Sequence, residues 1–303
     1  MSKIVIVGSI SMDLVMETSR IPKEGETVFG DSFSMVPGGK GANQAVAVGR
    51  LSSSEDQIIM LGAVGQDSYG SLLLQNLEAN GVSAENVGTV PQSTGVAQIT
   101  IYNKDNRIIY CPGANSSVDT DKWSKEWDIL ASSDLVILQN EIPHLSNLAI
   151  AKFCKSNDVK VLYNPGPART TDKEMLDFVD FITPNESECK EIFGQRDLVD
   201  ILRDYPNKLI CTLGAEGSVF FDGNEVQKIP AIVAKVVDTT GAGDTFNGAL
   251  GLALTKGLGL NEALKLASLA SHISVQKFGA QGGMPTVEEM KEHPAYEEKW
   301  NLK

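Results

Sequence analysis

The chain has 303 residues, 42% of them hydrophobic, and a formal net charge of −13. That length is enough to bury one large α/β core with an appendage. The spread acidic excess argues against nucleic acid as a partner, because holding a phosphate backbone needs a basic patch.

Lys3 to Val7 is a continuous apolar run, the type of strand buried on both faces of a parallel sheet. Gly8-Ser9-Ile10-Ser11-Met12-Asp13 follows it. Ligands of open α/β sheets bind at the carboxyl ends of strands. Asp13 is therefore placed either to accept hydrogen bonds from hydroxyls or simply to form a turn. Strand-like pieces come next, Thr27-Val28-Phe29 and Phe33-Ser34-Met35-Val36, with no helical crossover before them. Gly38-Gly39-Lys40-Gly41 then opens a helix whose apolar spacing runs from Ala42 to Leu51. It is not a P-loop, and no G-x-G-x-x-G dinucleotide fingerprint follows Val7.

Gln57 to Val64 reads as a strand, and Asp67 as the cap of a helix that reaches about Ala79, with Gly81 at its C′ position. Val96 to Tyr102 and Arg107 to Tyr110 form a predicted hairpin with Asn103-Lys104-Asp105-Asn106 as its turn. This hairpin and the strands near residues 14–36 interrupt the strand–helix rhythm. They are expected to form a small β appendage, either a lid that excludes water or a layer that only buttresses the core. Alternation resumes with strands at Asp134–Leu138, Lys160–Tyr163, Phe178–Thr183 and Lys208–Thr212, and a helix from about Leu145 to Ser156. Ser218–Phe221 and Val226–Pro230 are β-rich. Ile232–Val237 has the content of a strand end, and a helix at about Asn261–Val275 closes the fold. The pattern predicts a mostly parallel sheet with helices on both faces. The expected division is a core of residues 1–12, 37–93 and 113–303, and a discontinuous β lid of residues 13–36 and 94–112.

Cys111, Cys154, Cys189 and Cys211 form no C-x-x-C pair and read as core or near-core thiols of a reducing compartment. His144, His272 and His293 have no metal-binding spacing. The amino-terminal apolar run is too short for a signal peptide, and no run approaches the roughly 20 residues of a membrane helix. The chain is expected to be cytoplasmic.

The stretch that organises the rest is Val237-Asp238-Thr239-Thr240-Gly241-Ala242-Gly243-Asp244-Thr245-Phe246-Asn247-Gly248. It is a glycine-rich turn opening an apolar helix. Its free N–H groups and helix dipole make an anion hole suited to phosphate. A carboxylate in that turn repels a phosphate unless it has a task. The task that fits is taking a proton from a hydroxyl that attacks phosphorus; the alternative for Asp244 is a helix cap. Asp13, Gly39-Lys40, Glu141, Asn185–Glu188, Thr212–Gly214 and Gly243-Asp244 nearly all fall at strand ends or helix starts, so one rim of the sheet gathers them.

Asp-Thr-Thr-Gly-Ala-Gly-Asp-Thr-Phe at 238–246 resembles the signature of the PfkB-type carbohydrate kinases. Gly38-Gly39-Lys40-Gly41-Ala42-Asn43-Gln44-Ala45 is similar to the family's other signature in its ribokinase form. Thr183-Pro184-Asn185-Glu186 and Thr212-Leu213-Gly214-Ala215-Glu216-Gly217 also match. The resemblance spans residues 3 to about 287. It implies a ribokinase-like fold and ATP-dependent phosphorylation of ribose at O5, with Asp244 as base and the amides of Gly241, Ala242 and Gly243 stabilising the transferring phosphoryl. It implies that Asp13, Gly39, Lys40, Asn43 and Glu141 hold the sugar, with Ser11 at a further sugar position. Asn185 and Glu188 would lie near Mg²⁺ and the phosphates. Thr212, Gly214 and Gly217 would line the nucleotide, with Ser268 near the adenine. It implies a monovalent cation, K⁺, at Asp238, Thr240, Ser274, Lys277, Gly279 and Gly283. An exposed apolar sheet face and free strand edges need cover, so a homodimer through the lids is expected. Three positions depart from the pattern: Ser11 stands where asparagine is usual, Asn140 where leucine is usual, and Gly283 where serine is usual. The first weakens a contact to a sugar hydroxyl and opens deoxyribose as a substrate.

Overall fold

The computed structural model describes residues 1–103 and 105–302. The first half of the chain carries β1 (Lys3–Val7), β2 (Ser11–Glu17), β3 (Ser32–Gly38), α1 (Lys40–Leu51), β4 (Gln57–Leu61), β5 (Ala63–Gly65), α2 (Ser68–Ala79), β6 (Gly88–Val90), β7 (Gly95–Tyr102) and β8 (Asp105–Cys111). Then come α3 (Lys125–Ala131), β9 (Leu135–Gln139), α4 (His144–Ser156), β10 (Lys160–Asn164), β11 (Phe181–Ile182), α5 (Glu186–Phe193) and α6 (Leu198–Asp204). The chain ends with β12 (Ile210–Thr212), β13 (Ser218–Phe221), β14 (Val226–Ile229), α7 (Ala242–Thr255), α8 (Leu260–Ser274) and α9 (Val287–Glu292).

The central sheet is parallel, in the order β11-β10-β9-β1-β4. Single parallel bridges, Ile182 to Leu209 and Asn185 to Thr212, carry it on to β12. β13 and β14 add to β12 in antiparallel fashion. Because side chains alternate along a strand, β1 divides its residues between two cores. Ile4 and Ile6 face a cluster built with α1, α7 and α8, while Val5 and Val7 face one that includes Ile150 and Ala151 of α4 and Ile192 of α5. This is why the run from Ile4 to Val7 carries no polar residue: neither face meets water.

A separate four-stranded sheet, in the order β3-β2-β7-β8, is antiparallel at both edges and parallel across its centre. Its register places Val36, Asp13, Ala97 and Tyr110 side by side in one row. Directly paired residues project from the same face of a sheet, so these four share one.

Several expectations are corrected. Thr27–Phe29 is not a strand, and Phe29 is 93% exposed. Ile232–Val237 is likewise unpaired, with Val233, Val236 and Val237 exposed. Its β-branched content marks an extended segment, but β14 ends at Ile229 before it. The strand expected at 57–64 is broken at Gly62, and the one expected at 178–183 contracts to two residues. The short helices α3, α5, α6 and α9 were not anticipated, and α9 with the buried Trp300 follows the helix expected to close the fold. Cys111 is exposed rather than near-core. Cys189 and Cys211, far apart in sequence, lie with their sulfurs 3.6 Å apart. Lys104, in the predicted hairpin turn, is outside the described residues.

Candidate active site

The site is built where two glycine-opened helices meet. Gly241 (φ 76°) is the N-cap of α7, and Gly39 (φ 88°) is the N-cap of α1. Both conformations belong to the left-handed region that glycine adopts without penalty. A Cβ on Gly39 would fall 2.9 Å from both Ser9 O and Ser11 N, so the backbone itself needs the space. The helices pack closely because Gly248 on α7 has no side chain: a Cβ there would lie 2.6 Å from Ala47 Cβ on α1. Asn43 and Gln44 lie one turn before Ala47, and Asp244 lies one turn before Gly248. The close crossing therefore brings those three side chains together.

Asp244 is 7% exposed. Its Oδ2 accepts from Asn43 Nδ2 at 2.9 Å and its Oδ1 from Gln44 Nε2 at 3.1 Å. Gln44 Oε1 accepts from Gln139 Nε2 at 2.8 Å, and Asn43 Oδ1 accepts from Gln281 Nε2 at 3.0 Å. The carboxylate is thus oriented by a chain of buried amides, a role that the sequence reading did not assign to Gln44, Gln139 or Gln281. Asn43, expected at the sugar, has one amide hydrogen committed to Asp244. The amide of Ala242, expected in the anion hole, donates to Thr239 O at 3.2 Å. Those of Gly241, Gly243 and Asp244 have no backbone acceptor among the described residues, as the first turn of a helix requires.

Lys40 is the first residue of α1. The carboxylates of Asp244, Glu141 and Glu188 raise its pKa against the opposing effect of burial, so the ammonium is firmly charged. Glu141 follows the end of β9 and accepts from Ser9 Oγ at 2.5 Å and from Lys40 N at 2.9 Å. The Arg169 guanidinium holds the carbonyls of Asn140 and Ile142, on either side of Glu141. Asn140 is fully partnered: it donates to Asp172 at 2.8 Å and to Pro167 O at 2.9 Å, and accepts from Tyr163 OH at 2.7 Å. Its polar side chain thus belongs to a network behind Glu141. Asp13 approaches from the four-stranded sheet over Gly38, where a Cβ would meet its carboxylate at 2.4 Å. Burial, Glu141 and Asp244 push its pKa up to about 7. Ser11 is buried beside Asn115 and Tyr110.

Asn185 and Glu188 cap α5 reciprocally, Asn185 N to Glu188 Oε2 at 2.8 Å and Glu188 N to Asn185 Oδ1 at 2.9 Å. Burial raises the pKa of Glu188, and Lys40 opposes that shift. No group of three or more His, Cys, Asp or Glu suited to a metal occurs among the described residues. One free carboxylate oxygen on Glu188 still fits Mg²⁺, which binds through phosphates and waters with one or two protein carboxylates.

Thr212 ends β12, pairing with Pro184 O at 3.0 Å. Gly214 (φ 55°) and Gly217 (φ 100°) shape the following turn. Ser268 on α8 lies 3.5 Å from Pro230 O.

The residues expected to hold a monovalent cation divide. Asp238 Oδ1 accepts from Thr240 N and Oγ1 at 2.9 and 2.7 Å, and its Oδ2 from Gly279 N at 2.9 Å. Gly283 lies against the backbone of Ser274, where a Cβ would fall 2.0 Å from Ser274 O; that contact accounts for glycine here. The Lys277 side chain turns away to Glu289. The carboxylate and carbonyl oxygens of these two loops suit a hard cation.

An amide-lined anion hole, a buried carboxylate within it and an adjoining group of polar side chains define a phosphoryl-transfer site on an α/β fold. The pattern of the pfkB family carbohydrate kinases matches residues 1–287. The chain is 62% identical to the ribokinase of Lactococcus lactis over 291 residues, covering 96% of each chain. It is 42% identical to the ribokinase of Bacillus subtilis, covering 96% of this chain and 99% of that one. The solved structure of Arabidopsis thaliana ribokinase complexed with ribose and ATP superposes with a TM-score of 0.87 at 32% identity, covering 95% of this chain and 97% of that one. The chain belongs to the PfkB family of carbohydrate kinases; its similarity to these ribokinases is accompanied by 33% identity over 302 residues to the deoxyribokinase of Salmonella typhi, covering 96% of this chain and 98% of that one.

Proposed function

We propose that this chain transfers the γ-phosphoryl group of ATP to the O5 hydroxyl of ribose. The observation that carries this reading is Asp244, a buried carboxylate inside the helix start that holds phosphate and within reach of the charges of Asp13, Lys40 and Glu141. Asp244 takes the O5 proton as the oxygen attacks phosphorus. The N–H groups of Gly241, Gly243 and Asp244 meet the charge that develops on the transferring phosphoryl. Lys40 offsets the surrounding carboxylates, and Asp13 and Glu141 accept hydrogen bonds from sugar hydroxyls. Thr212, Gly214, Gly217 and Ser268 border the nucleotide. Glu188 and Asn185 would hold Mg²⁺, which would supply charge neutralisation at the phosphate oxygens.

In this reading residues 13–36 and 94–112 act as the lid, which keeps water from the phosphoryl group. Asp238 and the carbonyls of the loop at Gly279 would hold K⁺, whose charge would tune the neighbouring anion hole; equal activity in K⁺, Na⁺ and a bulky organic cation would remove it from the mechanism. The outer face of the lid exposes Phe33, Met35 and Ile109, the kind of apolar patch that a second copy covers. A one-chain sedimentation mass at micromolar concentration would rule that dimer out. No described helix is long and apolar enough to cross a membrane; the reading is of a cytoplasmic enzyme.

The reading is tested by ADP release with ATP, Mg²⁺ and K⁺ across ribose, 2-deoxyribose, fructose and adenosine. Preferred turnover of ribose is expected. Preference for 2-deoxyribose would favour the second reading, which Ser11 motivates. No turnover on any of the four would leave a non-catalytic binder of sugar or nucleotide.

A further inference from the structure

Ser11 is too short to do what an asparagine does at its position, and the structure assigns the missing contact to a residue 99 positions away. We propose that the phenol of Tyr110, together with the Ser11 hydroxyl, donates hydrogen bonds to the C2 hydroxyl of the sugar and makes ribose preferred over 2-deoxyribose. This rests on the ribose-kinase reading above and deepens it.

Tyr110 stands in the same row as Asp13, with only Ala97 between them. Its ring therefore projects from the face that carries Asp13 into the site, and the Ala97 methyl leaves room between acceptor and donor. Burial pushes the Tyr110 pKa up to about 12, with Glu141 and Asp13 adding to the shift. The phenol thus lies among the sugar-binding carboxylates and stays protonated. Its contact with Ser11, at 3.5 Å, sets it at the position where an asparagine of the family pattern would meet a sugar hydroxyl.

The hydrogen-bond inventory shows that its proton is available. Asn115 is fully buried and fixed by Ile10, whose N–H donates to Oδ1 at 2.9 Å and whose carbonyl accepts from Nδ2 at 3.0 Å. The other Nδ2 hydrogen points between Ser11 Oγ and Tyr110 OH, each 3.1 Å away. Both hydroxyls are held as acceptors from Asn115. Their mutual distance of 3.5 Å is long for O–H···O. Each proton is free for a ligand, so two hydroxyls anchored by one amide present two donors where the family pattern has a single side chain. Gly95 makes the cluster possible, since a Cβ there would fall 2.3 Å from Asn115 Nδ2 and 2.7 Å from Ser11 Oγ.

A sugar without the C2 hydroxyl leaves these donors unpaired under the lid, which is how a polar site rejects a deoxy analogue. Tyr110→Phe keeps the ring and removes the donor. Its kcat/KM for ribose should fall roughly 10-fold, while that for 2-deoxyribose changes less than about twofold. Ser11→Ala should move selectivity in the same direction. An equal fall on both sugars would make Tyr110 a structural residue only and overturn the inference, as would a wild type that prefers 2-deoxyribose. A wild type inactive on both sugars would instead refute the underlying ribose-kinase reading, and this inference with it.

Discussion

In its proposed role of holding the sugar, Asp13 carries a protonation equilibrium that binding must work against. Burial, Glu141 and Asp244 raise its pKa to about 7 in the unliganded protein, whereas accepting two sugar hydroxyls requires the carboxylate. At pH 6 about one-tenth of the molecules are ionised at Asp13, and at pH 8 about nine-tenths. Ribose affinity measured without nucleotide should therefore improve roughly 10-fold from pH 6 to pH 8, about 1.4 kcal/mol. Titration calorimetry at fixed ionic strength, in buffers of different ionisation enthalpy, should show about half a proton released per sugar bound at pH 7. Asp13→Asn should bind more weakly and flatten the profile. The same shift has a stability signature of definite sign. Between about pH 4 and pH 7 the folded protein holds a proton at Asp13 that the unfolded chain has released. Asp13 thus lowers stability as pH rises through that window, by up to about 4 kcal/mol. Equal ribose affinity at pH 6 and pH 8 with no proton released would show that Asp13 is already ionised, and would refute the reasoning.

Two further outcomes follow from the catalytic helix. Asp244→Asn should retain ATP and sugar binding in equilibrium titrations but lose on the order of 10²–10⁴ in turnover; near-normal turnover would remove Asp244 as the base. Gly241→Ala forces a side chain into φ 76° and brings a Cβ within 2.8 Å of Ala280. It should lower stability by about 1–3 kcal/mol in urea unfolding and depress turnover with it; unchanged stability would mean that the loop relaxes freely.

What the sequence showed well was local. The run Lys3–Val7, the glycine-opened helices α1 and α7, the Asp67 cap and the hairpin of β7 and β8 each rest on periodicity or capping chemistry within a dozen residues. The glycine-opened helix start and its buried carboxylate were legible because they lie in one stretch. What escaped depends on register and packing. Nothing near Tyr110 announces that a parallel pairing sets it in line with Asp13. Gln44 sat inside a recognised motif, yet its role depends on where Gln139 and Asp244 arrive in space. Ile232–Val237 misled because β-branched residues favour an extended backbone whether or not a partner strand is present.

The contact of Gly248 with Ala47 links catalysis to the cooperative unfolding of the whole molecule. The Asp244 carboxylate, the proposed base, is aligned by amides on a second helix, and both helices pack into one buried cluster. Asp13 stands between Met12, a member of that same cluster, and Leu14, which packs against it. Warming should therefore weaken sugar binding and phosphoryl transfer together, because the strand that carries Asp13 and the two helices share one buried cluster.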